Sequence, residues 1–202
     1  MSGILYEQRV FATRRYKVSG HRRRFALAAT LSLQIRIRTS VVPIAGFSPD
    51  MNFYLVRHGD AVAAVENAER PLSRIGREQV QRAARGLLER DSEVSRIYHS
   101  GILRAKQTAE ILAKAFPTNL AVEQHAGLLP EDDPAVVKAE LDAAECSIML
   151  VGHLPYLKRL AALLISGDPE RAVLDFLPAT VLCCSKAGGR WQINWIVGAP
   201  EI

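Results

Sequence analysis

From residue 51 onward the chain alternates two hydrophobic patterns. Short apolar runs at 52–56, 96–99, 120–124 and 147–151 read as strands, and the first is followed by a glycine. Between them apolar side chains return every three or four positions. Ile75, Val80, Ala83, Ala84, Leu87 and Leu88 do so in a helix expected from an N-cap at Ser73 to about Arg90. Gly76 and Gly86 are poor helix formers inside it. Ile102, Ala105, Ala109, Leu112, Ala113 and Phe116 make a second stripe over 101–116, which Pro117 stops. The loop Leu129-Pro130-Glu131-Asp132-Asp133-Pro134 leads into a third helix ending near Ala144, and Pro155 opens a fourth over 154–165. Two last strands, 180–185 and 190–196, are joined across Gly188-Gly189, a hairpin signal.

Strands alternating with helices predict an α/β fold: a three-layer α/β/α sandwich whose sheet is mostly parallel, with the C-terminal hairpin adding antiparallel edge strands. Trp191 and Trp195, four apart on one strand, are expected on one face, covering the sheet edge. Cys183 and Cys184 are neighbours on a strand, so they point to opposite faces and do not pair. The chain has three cysteines, an odd number that argues against a disulfide framework and fits a reducing compartment such as the cytoplasm.

Composition changes the picture at one end only. The net charge of +5 comes from residues 1–50, which hold nine Lys and Arg against two Asp and Glu. Residues 51–202 hold 17 basic and 19 acidic residues, so the basic pI is no argument for nucleic-acid binding by this part. Two units follow: a basic extension over 1–50 and one domain over 51–202. The extension is open to several readings: a start assigned too early, with Met51 as initiator; a disordered basic tail; an organelle-targeting segment if the source is eukaryotic; or a secretory signal, against which Arg36 and Arg38 stand. No stretch reaches the run of roughly 18 uncharged apolar residues that a membrane span needs, and no membrane association is expected.

The candidate chemistry sits where the apolar runs end. Arg57 and His58 leave the first strand, Ser100 and Arg104 follow the second, and His153 leaves the 147–151 strand in Val151-Gly152-His153-Leu154-Pro155. Open α/β sheets bind ligands in the crevice at such C-terminal strand ends. Two arginines and two histidines facing one cleft suit a phosphoryl group, because guanidinium pairs bidentately with its oxygens and stays charged. A neutral imidazole can attack phosphorus and form a phosphohistidine, splitting one hard step into two. The turn after the strand and the N-terminus of the next helix would add N–H groups and a positive dipole end. A zinc site built from His58, His99 and His153 lacks a close-spaced ligand pair, and two arginines would oppose a cation.

The segments Leu55-Val56-Arg57-His58-Gly59-Asp60, Arg70-Pro71-Leu72-Ser73 with Gly76, Ser100-Gly101-Ile102-Leu103-Arg104-Ala105-Lys106-Gln107-Thr108 and Gly152-His153-Leu154-Pro155 appear in an order that resembles the histidine phosphatase (phosphoglycerate-mutase-like) superfamily, in particular its small SixA-type phosphohistidine phosphatases. The resemblance covers nearly all of 51–202. It implies a cofactor-independent phosphatase with no metal, in which His58 is the phosphorylated nucleophile and Arg57, Arg104 and His153 complete the pocket. Gly59, Asp60, Ser100 and Gly152 are expected to border the bound group. Ser73 stands where the family often has threonine, and Gly101 where many members carry a bulkier residue or proline.

The proton donor is assigned to Glu131, in the loop after the third strand, with Asp60 as the alternative. A strong general acid contributes roughly 10²–10⁴-fold, but a phosphoramidate needs less help, since its leaving imidazole can depart already protonated. The expected substrate is therefore phosphohistidine on a protein such as a histidine phosphotransfer domain, which a short, capless domain would admit. The alternatives are a small-molecule phosphomonoesterase or mutase, and a non-catalytic phosphate- or phosphoprotein-binding module. A monomer is expected.

Overall fold

The computed structural model describes residues 51–198. The basic extension over 1–50, with every reading of it, lies outside them. Six strands and four helices follow in the order β1 (Asn52–Arg57), α1 (Arg74–Leu88), β2 (Arg96–His99), α2 (Leu103–Ala113), β3 (Val122–Gln124), α3 (Pro134–Ala143), β4 (Ile148–Gly152), α4 (Tyr156–Ser166), β5 (Val181–Ala187) and β6 (Arg190–Val197). They form one sheet in the order β3-β2-β4-β1-β5-β6. The first four strands are mutually parallel, and β5 and β6 run antiparallel. This is the expected sandwich.

Both sheet faces are apolar because both are covered. Alternation along β1 sends Tyr54 and Val56 to a core shared with Val80, Ala83 and Leu87 of α1 and Ala105, Ala109 and Leu112 of α2. Phe53 and Leu55 go to the opposite core, with Val137 and Leu141 of α3 and Leu157, Leu160 and Leu164 of α4. Cys183 and Cys184 divide between the two cores, as their adjacency requires. No helix among the described residues is long and apolar enough to cross a membrane.

Two departures from the sequence expectation have local causes. The helix expected from residue 101 begins at Leu103, because Gly101 turns the chain with φ at 87°. Proline, locked near −65°, cannot take that conformation. The second departure concerns Trp191 and Trp195, which lie on opposite faces rather than one. A bulge shifts the β5–β6 register, so that Cys184 pairs with Ile193 and Cys183 with Trp195. One residue inserted in a strand reverses the facing of everything beyond it. Trp191 packs tilted against Phe53 with ring centroids 5.0 Å apart and Trp195 against Tyr54 at 5.9 Å, each in its own core.

Candidate active site

Strand register brings the ends of three strands together. Arg57 pairs with Gly152, so the next residues, His58 and His153, leave the sheet side by side. Their rings lie 4.9 Å apart between centroids, and the His58 N–H donates to the Gly152 carbonyl at 3.2 Å. On the other flank of β4, His99 pairs with Val151, which sets Ser100 beside His153. The Ser100 Oγ is 2.6 Å from His153 Nε2. Arg104, in the first turn of α2, points its Nε at His58 Nε2, 3.1 Å away. Arg57 donates from Nη1 to the Phe176 carbonyl at 2.7 Å, while its buried Nε has no partner.

The hydrogen bonds assign the proton on each imidazole. His58 Nδ1 is 2.7 Å from the Gly59 carbonyl, and a carbonyl only accepts, so Nδ1 carries the hydrogen. Nε2 is left with a lone pair, directed at Arg104. Burial, together with the charges of Arg104, Arg57 and Arg70, pushes the His58 pKa down to about 4 against the opposing pull of the Gly59 carbonyl. His153 goes lower, to about 3, through burial first and then His58 and the same two pocket arginines. The Ser100 hydroxyl accepts from the Ile102 N–H at 3.4 Å, and its own hydrogen is assigned to His153 Nε2. His153 Nδ1 then carries a proton, and this buried atom has no partner in the protein. The arrangement therefore offers one imidazole lone pair, one unpaired imidazole N–H and several guanidinium donors.

This has a measurable consequence. A histidine at its ordinary value of about 6.5 is largely charged at pH 5.5. In the ligand-free protein both rings are expected to stay neutral there, because a depressed pKa keeps the neutral form until pH falls through the lower value. A ring-nitrogen NMR titration should show His58 protonating near pH 4 with Nδ1 bearing the hydrogen at neutral pH. Titration near 6.5 would contradict the assignment.

A frame of uncharged side chains holds the turn after β1. Thr108 Oγ1 accepts from the Gly59 N–H at 3.2 Å, Gln79 Oε1 from the Asp60 N–H at 2.9 Å, and Gln107 Oε1 from the Leu72 N–H at 2.7 Å. The amides of Gly59 and Asp60 are thus used within the fold. Ser73 caps α1 by accepting from the Gly76 N–H at 2.9 Å and donates to Asp60 Oδ2 at 2.6 Å. Gly76 inside α1 has a steric reason: a methyl group there would overlap the Asp60 carbonyl. A Cβ on Gly59 would in turn stand 2.6 Å from the Gly76 carbonyl oxygen. His99 is buried and accepts the Gly101 N–H at its Nδ1, 2.9 Å away, a loop-bracing role.

Glu131 is exposed, and among the described residues its carboxylate makes no hydrogen bond or ion pair. The same loop is braced by Asp132, which accepts from the Leu129 N–H, and by Asp133, which caps α3. Of the two carboxyl groups weighed as proton donor, Asp60 is the one fastened next to the pocket. Gln107, Thr108 and Gln79 carry no signal of this role in the sequence. Their amide and hydroxyl groups reach loop N–H groups only once α1 and α2 are packed.

A family model described as "Histidine phosphatase superfamily (branch 1)" matches residues 53–129. The phosphohistidine phosphatase SixA of Escherichia coli K12 is 28% identical over 151 residues, spanning 71% of this chain and 94% of that protein. The chain belongs to the histidine phosphatase superfamily. A protein from Picosynechococcus is 32% identical over 125 residues, 58% of this chain and 75% of its own. Among solved structures, the protein histidine phosphatase SixA complexed with tungstate superposes with a TM-score of 0.64 at 28% identity, over 72% of this chain and 96% of that one. Phosphatases of more distant sequence share the fold. One is a mycobacterial glucosyl-3-phosphoglycerate phosphatase at 18% identity and TM-score 0.56, which covers 72% of this chain and 98% of that one.

Proposed function

We propose that this histidine phosphatase removes the phosphoryl group from phosphohistidine on a protein, through a covalent intermediate on His58. The observation that carries the reading is the fixed tautomer of His58: Nδ1 is held by the Gly59 carbonyl and the Nε2 lone pair faces the Arg104 guanidinium. In the first step Nε2 attacks phosphorus, the substrate P–N bond breaks, and its electron pair stays on the substrate nitrogen, so that a ring already protonated on its other nitrogen departs as neutral imidazole. In the second step water attacks phosphorus, the P–N bond to His58 breaks with its electron pair returning to Nε2, and both hydrogens of the water leave on the product as dihydrogen phosphate, so the ring is again neutral with Nδ1–H.

Arg57 and Arg104 hold the equatorial oxygens, and the partnerless Nδ1–H of His153 donates to one of them, with Ser100 fixing its tautomer. Donors placed in advance where charge gathers lower the barrier without reorganising. No step needs a metal or an organic group.

The phosphohistidine assignment rests on the chemistry of the leaving group. Glu131 is exposed and unfastened, and one oxygen of Asp60 is engaged by Ser73. An ester's alkoxide needs a strong acid, whereas an imidazole does not. The likeness to SixA over 94% of that protein supports the same reading. His58, Arg57 and Arg104 are each half-buried, with faces open to solvent, which suits a phosphohistidine displayed on a folded partner.

The test compares kcat/KM on a phosphohistidine peptide, a phosphoserine peptide, an aryl phosphate and a sugar phosphate, for the wild type and Glu131→Gln. The phosphohistidine peptide should be the best substrate. If Glu131 is the acid, Glu131→Gln should slow aryl phosphate hydrolysis by about 10²-fold and phosphohistidine hydrolysis far less. Equal losses would remove Glu131 from the mechanism. A preference for the sugar phosphate would favour a small-molecule phosphomonoesterase or mutase.

A further inference from the structure

The chain leaves the sheet after His58-Gly59-Asp60, makes an excursion, and returns at Ser73. The neck of the excursion is closed by the Ala61–Leu72 bridge and by the Val62 N–H donating to the Pro71 carbonyl at 2.9 Å. Residues 63–69 beyond the neck are exposed, but Arg70, at the neck itself, is half-buried. Its backbone is at φ 50°, a left-handed conformation that residues other than Gly, Asn and Asp seldom adopt. Strain of this kind persists where the surroundings impose it, commonly at functional sites. Here it is imposed by the Arg70 N–H donating to the Asn67 carbonyl at 3.0 Å and by the bridge two residues on.

The side chain is oriented as well. Arg70 Nε donates to the Val62 carbonyl at 3.3 Å, which fixes the plane of the guanidinium. Its two Nη groups make no hydrogen bond or ion pair among the described residues. Arg70 is also near enough for its charge to bear on both His58 and Arg104, making each less ready to hold a proton. Arg57 and Arg104 likewise have no ion pair among the described residues. Three guanidiniums thus bear on one neutral imidazole, with the charge of Asp60 reaching Arg57, and an arriving anion would relieve their mutual repulsion.

We propose that Arg70 is a third phosphoryl-binding arginine, whose free Nη groups take a non-reacting oxygen of the group bound at His58. This rests on the phosphatase reading of the site, and it adds a residue that neither the four-residue constellation nor the motif assignment placed in the pocket. It also predicts a preference for a dianionic phosphoryl group over singly charged analogues.

The experiment measures orthovanadate binding by calorimetry to the full chain and to its Arg70→Ala and Arg70→Lys variants, with melting temperatures recorded beside it. Arg70→Ala is expected to bind vanadate about 10- to 100-fold more weakly, the range for losing a hydrogen bond to a charged group. Arg70→Lys, which keeps the charge but not the fork, should fall between. In the ligand-free protein the His58 titration should move upward in Arg70→Ala and stay in place in Arg70→Lys. Unchanged vanadate affinity with a raised KM for a phosphopeptide would make Arg70 a contact for the carrier protein and overturn the proposal. Equal losses in both variants, with lowered melting temperatures and an unmoved His58 titration, would mark a loop brace and overturn it too. Arg70-dependent vanadate binding in a wild type that forms no phosphoenzyme would uphold this inference while rejecting the catalytic reading.

Discussion

Replacing His58 with alanine is expected to lower kcat on phosphohistidine peptide by about 10⁴-fold or more, the scale seen when a covalent nucleophile is removed. The loss should fall on kcat rather than on binding. Arg57, Arg70 and His153 do not depend on the His58 ring for their place: Arg57 is held by the Phe176 carbonyl, Arg70 by the Val62 carbonyl and His153 by Ser100. Vanadate or phosphate should therefore still bind to the variant. Steady-state kinetics with a calorimetric titration of both proteins separates the two effects. Turnover near the wild-type rate would mean that water attacks the substrate directly and that His58 is not the nucleophile.

The second large effect is expected at Arg104. Its Nε donates to His58 Nε2, so the guanidinium has to turn from the lone pair to the phosphoryl oxygens before Nε2 can attack. Arg104→Ala should cost about 10²–10³-fold in kcat/KM, the usual scale for one preorganised charge-stabilising donor. Arg104→Lys should recover only part of that, because an ammonium cannot make the paired contacts of a fork. The His58 titration gives an independent readout. Arg104 is one of the charges that depress it, so removing that charge should raise the value. A full recovery of rate in Arg104→Lys would show that charge alone matters there.

Much of this arrangement is legible in the sequence because it follows from where strands end. Arg57-His58 and Gly152-His153 close two apolar runs, and parallel neighbours of matched length deliver their last residues to one edge. The pairing of Arg57 with Gly152 is the structural form of that statement. The Ser73 cap and the stripes of α1 and α2 are legible for the same reason: they depend on periods and cap chemistry within one segment.

What is hidden depends on contacts between segments. Gly76 looks like a weak point in a helix until the Asp60 carbonyl is seen against it. The bulge that separates Trp191 from Trp195 is a register event between β5 and β6, and counting along one strand does not reveal it. Arg70 is written inside a motif, yet its role depends on a left-handed backbone and on a neck closed by Leu72, neither of which has a period to read. The tautomers of His58 and His153 are likewise set by a carbonyl and a hydroxyl that arrive from the fold.

The central claim is a phosphoryl group carried on His58 Nε2, and rapid-quench trapping tests it most directly. Mixing the enzyme with labelled phosphohistidine peptide, quenching within milliseconds and mapping the label should give a phosphoenzyme stable in base, labile in acid and located at residue 58, with none in His58→Ala. A wild-type enzyme that turns over fully while no labelled protein accumulates under single-turnover conditions, or a label found at any other residue, would contradict it.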